Sequence, residues 1–478
     1  MKRSKHNLSN YKLATMDMGK LVPVQVQEVL PGDSMKMQTS ALIRLSPMLA
    51  PVMHPVIVRF HHWFVPNRLT WDKWEDFITG SDDSLEIPKL AVSGVKDTLV
   101  DYMGIPPITN GSTIRVNAMP IRAYNLIYNE FYRDQDLCAE RNLDTRTLAK
   151  IAWRKDYFTA ARPWPQKGPD ITLPIGTDAP VRFTGSNSRW LETDDGSNTS
   201  YMVRDTGSSS IDADPAVDAG KGLVPRDGYL TADLSQATGL TATEFREFFA
   251  LQRYAEARAR YGSRYTEYLR YLGVRPSDAR LQRPEYLGGG KSTVQISEVL
   301  QTAMDGDSPV GNMRGHGITA LRTRSSKKFF EEHGYIITLM SVVPKSIYQD
   351  GVHRTFLRTD KEDYFQKELQ SIGQQEVKVG EVYAKDPASL EETFGYQDRY
   401  SDYTHTPSTV AGEFRDKLDF WHLARKFNNK PALNSTFIEC TPSKRIFAEQ
   451  TQHSLWCMIN NKCVARRMVK NVSVGRLM

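Results

Sequence analysis

The sequence predicts an all-β fold, one large antiparallel β-sandwich elaborated by long loop and helical insertions. Three observations carry that expectation. Apolar runs with strand character recur from near the first residue to near the last, helical periodicity is confined to a few stretches, and a long turn-rich segment interrupts the middle. Of the 478 residues, 40% are apolar and 25% charged, with 31 Gly and 25 Pro, which is ordinary globular composition. That excludes a disordered, collagenous or coiled-coil chain.

Val22, Val24 and Val26 interleave with Pro23, Gln25 and Gln27 ahead of the turn Pro31-Gly32-Asp33, the pattern of a half-buried strand. Residues 56–60 run apolar between Pro55 and Pro66 and read as a buried strand. Thr70 is placed to cap a short helix with Trp71, Trp74, Phe77 and Ile78 on one face and Gly80 at its end. Pro120 suits the first position of a helix carrying Tyr124, Ile127, Tyr128 and Phe131 at three- and four-residue spacing. Residues 169–229 are rich in turn formers and poor in apolar side chains, so they read as a surface insertion. Thr241 and Glu244 form a capping box that opens a helix running to Gly262, and a second helix runs through Tyr265, Tyr268 and Leu272 to Gly273. Residues 241–273 are thus a helical insertion. Residues 294–299, 335–343 and 455–459 complete the strands, and with no internal repeat the chain reads as a single domain over 1–478.

The net charge of +6 is unevenly placed. Residues 1–20 carry +4 and residues 462–478 carry +5, leaving a slightly acidic body between two basic ends. Such ends suit an anionic partner. Residues 335–343 are the longest apolar run, well short of the roughly 20 residues a spanning helix needs, so no membrane insertion is expected. The basic, polar start lacks the apolar core of a secretory leader. Cys138, Cys440, Cys457 and Cys463 match neither a disulfide framework nor a zinc pattern and are expected as free thiols.

No catalytic, cofactor or metal constellation emerges. Residues 287–293 contain Gly288-Gly289-Gly290-Lys291-Ser292-Thr293, but a phosphate-binding loop needs a glycine where Glu285 stands and a helix where a strand follows. His61 and His62 would point to opposite faces of a strand and cannot grip one ion together. Glu331, Glu332 and His333 lack a further ligand at helical spacing, and no nucleophile elbow is present. Tyr254, Arg258, Tyr261, Arg264, Tyr265 and Tyr268 interleave aromatic rings with cations, a composition that serves single-stranded nucleic acid but more often a protein interface.

Several ordered blocks resemble the major capsid proteins of microviruses, the gokushovirus-like branch above all. They include residues 28–33, 64–69, 164–168, 251–256, 262–267, 278–289, 332–334, 394–396 and 421–423, spread over nearly the whole chain. The resemblance implies an eight-stranded antiparallel viral jelly roll whose identical copies close a T=1 icosahedral shell around circular single-stranded DNA. It implies a virion protein assembled in the bacterial cytoplasm, with internal scaffolding, pilot and small DNA-binding proteins and a bacterial surface receptor as partners. Residues 169–229 would form a threefold protrusion. Lys2, Arg3, Lys5, Arg466, Arg467 and Lys470 are the candidates to face the genome, and the Tyr/Arg set above is the candidate subunit interface. A β-sandwich enzyme acting on carbohydrates is the competing expectation, as is a nucleic-acid-binding protein that builds no shell.

Overall fold

The computed structural model describes residues 3–108, 112–169, 171, 181–183, 189–193, 200–205, 211–212, 223–225, 230–232, 242–302 and 310–469. The strands of seven residues or more are β1 (Asn10–Met16), β2 (Lys20–Val29), β3 (Ser34–Leu45), β4 (Val56–Pro66), β5 (Glu285–Thr293), β6 (Met313–Arg322), β7 (Gly334–Pro344) and β8 (Leu455–Arg467). One sheet runs β1–β8–β3–β6 and the other β2–β7–β4–β5, all antiparallel. Successive strands change sheets except between β4 and β5, which is jelly-roll connectivity. Short edge strands bring the first sheet to seven and the second to five.

Burial explains why the two sheets read differently. The core between them packs Val22, Val24, Val58, Phe60, Met340 and Val342 of the second sheet against Ile43, Leu45, Leu455, Cys457 and Ile459 of the first. On its outer face the second sheet is covered again by helix α1 (Met119–Ile127), through Ile121, Tyr124 and Ile127 on Leu21, Ile337 and Leu339. Every residue of β7 is therefore buried, and its sequence runs apolar without alternation. The fully buried Tyr124 satisfies its hydroxyl by donating to the Leu21 carbonyl (2.7 Å) and accepting from the Ala149 amide (3.0 Å). In β3 and β8 burial alternates, because the outer face of the first sheet is left open.

The short helix after Thr70 begins later than its sequence suggests. Thr70 is buried and donates its hydroxyl to the Asn67 carbonyl (2.8 Å), so it caps nothing downstream, and the helix spans Trp74–Thr79. Gly80 ends it in the left-handed region, as expected. Pro120 lies in the first turn of α1 but at its second position, because Met119 opens the helix and its amide donates to the Asn117 side chain (2.9 Å). Helices α2 (Ala242–Tyr261) and α3 (Tyr265–Tyr271) follow the expected break at Gly262, while the capping residue Thr241 lies outside the described residues.

Chain contacts divide the molecule into two compact units, Gly168–Ala255 and the remainder. The smaller unit holds short strands, four of them in one sheet and two in another, which its turn-rich composition did not signal.

Candidate nucleic-acid interface

The open face of the first sheet is built by strand alternation and register. In β3 the odd positions Met35, Met37, Ile43 and Leu45 enter the core, so Lys36, Gln38, Ser40, Leu42 and Arg44 point outward. In β8 the inward set is Leu455, Cys457, Ile459, Cys463 and Ala465, leaving Trp456, Met458, Asn460, Lys462, Val464 and Arg466 outside. Pairing sets Trp456 opposite Arg44, Met458 opposite Leu42 and Lys462 opposite Gln38. On the other side of β3, Arg322 of β6 stands opposite Ser40 and Lys327 opposite Lys36. The strand Ser4–Asn7 extends the face beyond β8, with Lys5 opposite Arg466.

Lys5, Lys36, Arg44, Arg322, Lys327, Lys462 and Arg466 are all exposed, and none joins an ion pair among the described residues. Of the strands in this sheet, only the edge strand Gln295–Leu300 contains an acid, Glu298. Like charges directly opposite each other on antiparallel strands are destabilising. The face nevertheless has two such pairs, Lys5 with Arg466 and Lys36 with Lys327. Beside the cations lie exposed apolar side chains. Tyr11 is 73% exposed, Leu13 80% and Trp456 42%, and a shallow groove of about 510 Å³ runs between Leu13, Leu42, Arg44, Trp456 and Met458. Rings and cations on one open surface are what a flexible polyanion with stacking bases requires.

The candidates from the chain ends distribute unequally. Lys5 and Arg466 lie on this face, and Arg3 reaches its margin, donating to Ser34 Oγ (3.3 Å) with its guanidinium over the Phe329 ring. Arg467 points to the other side, where it donates to the buried Asp33 carboxylate (2.7 Å) and the Glu28 carbonyl (3.1 Å). Lys2 and Lys470 lie outside the described residues. Lys36, Arg44, Arg322 and Lys327 were missed, although a signal existed: residues 34–71 and 308–330 contain no acid at all.

Of the Tyr/Arg set on α2 and α3, Tyr254, Tyr261, Tyr265 and Tyr268 are exposed, Tyr265 most at 64%, and Arg258 is exposed too. Arg264 is instead held within the fold, donating to the Asn129 (2.6 Å) and Arg133 (3.0 Å) carbonyls.

The discounted motifs take structural roles. The triple glycine belongs to β5, paired with β4. His62 is buried between the Thr338 (2.8 Å) and Thr323 (3.3 Å) hydroxyls, and His61, on the opposite face, bonds the Tyr132 hydroxyl (2.7 Å). Glu332 pairs with Arg68 (2.5 Å), and His333 packs edge-on against Trp74. The four cysteines are free thiols, and burial pushes the Cys457 and Cys463 thiols up to about 12 and about 11. Among the described residues no cluster of His, Cys, Asp and Glu could hold a metal ion, and no helix is long and apolar enough to cross a membrane.

Comparison with known proteins gives the family of the chain. Capsid protein VP1 of Bdellovibrio phage phiMH2K is 38% identical to this chain, over 93% of the chain and 89% of the relative. Capsid protein VP1 of Chlamydia phage 1 is 32% identical over 99% and 95%, and that of Spiroplasma virus 4 is 32% identical over 91% and 87%. These relatives are structural proteins, which sets the enzyme alternative aside. The family described as capsid protein (F protein) matches residues 1–475, and the chain belongs to that family of phage capsid proteins.

Proposed function

We propose that copies of this chain close a T=1 icosahedral shell around a circular single-stranded DNA genome, with the open basic face of the first sheet turned toward that genome. The observation that carries the reading is the two opposed pairs of cations, Lys36 with Lys327 and Lys5 with Arg466, in strands that contain no acid. Such a surface is stabilised when phosphates enter between the charges, and the sequence of the bases is not read. Contacts between identical copies draw on the exposed tyrosines of α2 and α3. The segment 169–229 supplies the threefold protrusion that meets the bacterial surface. Scaffolding, pilot and small DNA-binding virion proteins complete the assembly in the host cytoplasm.

Two measurements test this. Electron microscopy of the chain produced with its companion virion proteins is expected to show closed, uniform particles; their absence counts against the shell. For the face, single-stranded DNA binding weakens with salt at a slope of roughly −0.7 per neutralised phosphate. Replacing Lys36, Arg322, Lys327 and Lys462 with Gln is expected to flatten the slope by about 2.8. An unchanged slope rejects the placement of the genome on this face.

A further inference from the structure

The outer face of the second sheet carries a different electrostatic feature. A cleft of about 300 Å³ is lined by Arg59 and His61 of β4, by Tyr132 and Arg154, and by Arg264 and Glu267 at the start of α3, among others. Its acids are already answered. Asp134 pairs with Lys155 and Arg162, Asp136 with Arg162 (3.2 Å) and Lys167 (3.0 Å), and Glu267 accepts from Gln135 (3.2 Å) and from the Arg264 amide (3.1 Å). Arg59 and Arg154 remain, and neither has an ion pair or a side-chain hydrogen bond among the described residues. Arg59 is half-buried, and its guanidinium is pushed down by burial and then by the charge of Arg154. A shielded cation facing another cation is costly unless an anion arrives from outside.

Two observations say what that anion is. Arg264 and Glu267, which line the cleft, flank the exposed Tyr265 in the chain, so the cleft borders the start of the helix assigned above to contacts between copies. The chain also displays a complementary element. Residues 72–86 hold Asp72, Glu75, Asp76, Asp82, Asp83 and Glu86 against Lys73 alone, all of them exposed, and among the described residues only Glu86 is in an ion pair, with Lys89 (2.7 Å). We propose that the cleft between Arg59 and Arg154 receives a carboxylate from a second copy of this chain, supplied by Asp82 and Asp83 of its acidic loop. The inference rests on the shell reading. It differs from the genome face in location, on the opposite sheet, and in partner.

A charge exchange tests it. Arg59→Glu with Arg154→Glu, and separately Asp82→Lys with Asp83→Lys, are each expected to lower the yield of closed particles about tenfold or more while the free subunit unfolds at the parental temperature. The four changes together are expected to restore the yield to within about threefold of the parent. Parental yield from either double variant overturns the proposal, and so does a combined variant that assembles no better than the doubles, the result a genome phosphate in the cleft would give. Should the Glu substitutions prevent folding, Arg59→Gln with Arg154→Gln carries the same expectation of reduced yield, and parental yield from it overturns the proposal. Failure of the shell reading shows differently, as a parent chain that forms no particles under any condition, and it removes this proposal too.

Discussion

Lys36 and Lys327 stand directly opposite each other across antiparallel strands, both exposed and neither with a carboxylate partner among the described residues. In a free subunit this opposition costs stability, by roughly 0.2–1 kcal/mol for a directly opposed pair. Lys36→Gln combined with Lys327→Gln is therefore expected to leave the thermal midpoint of unassembled subunits unchanged or slightly higher, while binding of single-stranded DNA weakens. Urea unfolding beside a DNA titration reads both quantities. A double variant that loses stability as well as binding would show that the lysines serve the fold rather than a polyanion.

How much of this was legible in the sequence depends on what each element packs against. β7 could be read because both its faces are buried, so Tyr335 to Val343 form one apolar run. β5 could not, because a Gly288-Gly289-Gly290 run has no strand propensity of its own and its reason lies in the neighbouring backbone. The short helix was placed too early because a threonine hydroxyl ahead of an apolar face looks like a cap, whereas the Thr70 hydroxyl is taken by Asn67. The basic face escaped for a different reason. Its cations are interleaved one by one with core residues along β3 and β8, and only pairing register gathers them. The chain ends advertised charge more plainly, yet Arg467 shows that a terminal cation can be committed to a buried acid.

The Gly289 position allows a direct test of the β4–β5 pairing. A Cβ there would sit 2.1 Å from the Phe60 carbonyl oxygen, a backbone atom that cannot withdraw without opening the ladder. Gly289→Ala is expected to cost about 1–3 kcal/mol, read as a fall in the urea midpoint of the subunit. Gly290→Ala, whose Cβ would meet the Thr323 Cα at 3.2 Å and its Cγ2 at 3.3 Å, asks the neighbouring segment to give by only a few tenths of an ångström and is expected to cost less. Equal tolerance at both sites would mean that the strands are not in this register.

Three imidazoles make the subunit sensitive to acid. Burial pushes His54, His61 and His62 down from 6.5 to about 4, so the folded chain keeps them neutral where the unfolded chain takes up protons. Stability from this source is complete above about pH 6.5, declines as the pH falls toward 4, and levels off below. Each histidine contributes a slope of up to about 1.4 kcal/mol per pH unit inside that window. The thermal midpoint of free subunits is expected to drop between pH 6.5 and 4, and less steeply in a His61→Gln variant. A midpoint that stays flat across the window would contradict the burial of these rings.

Arg354 and Glu381 form an ion pair at 2.9 Å with both side chains about 95% buried, and Arg354 also donates to the Glu376 carbonyl (2.6 Å). Burial raises the Glu381 carboxyl above its ordinary value in spite of the adjacent guanidinium, a sign that desolvation rivals the attraction. Removing one partner strands the other charge, so Glu381→Ala is expected to cost about 3–5 kcal/mol. Removing both is a different experiment. Arg354→Met with Glu381→Leu removes both charges of the pair and leaves the Glu376 carbonyl and the Lys378 amide, which donates to Glu381 (3.0 Å), unpaired, so the double variant is expected to recover most of the single variant's loss. The comparison is read in denaturant midpoints of the free subunit. If the double variant is as unstable as Glu381→Ala, the pair's value lies in its own bonding geometry and not in mutual neutralisation of two shielded charges.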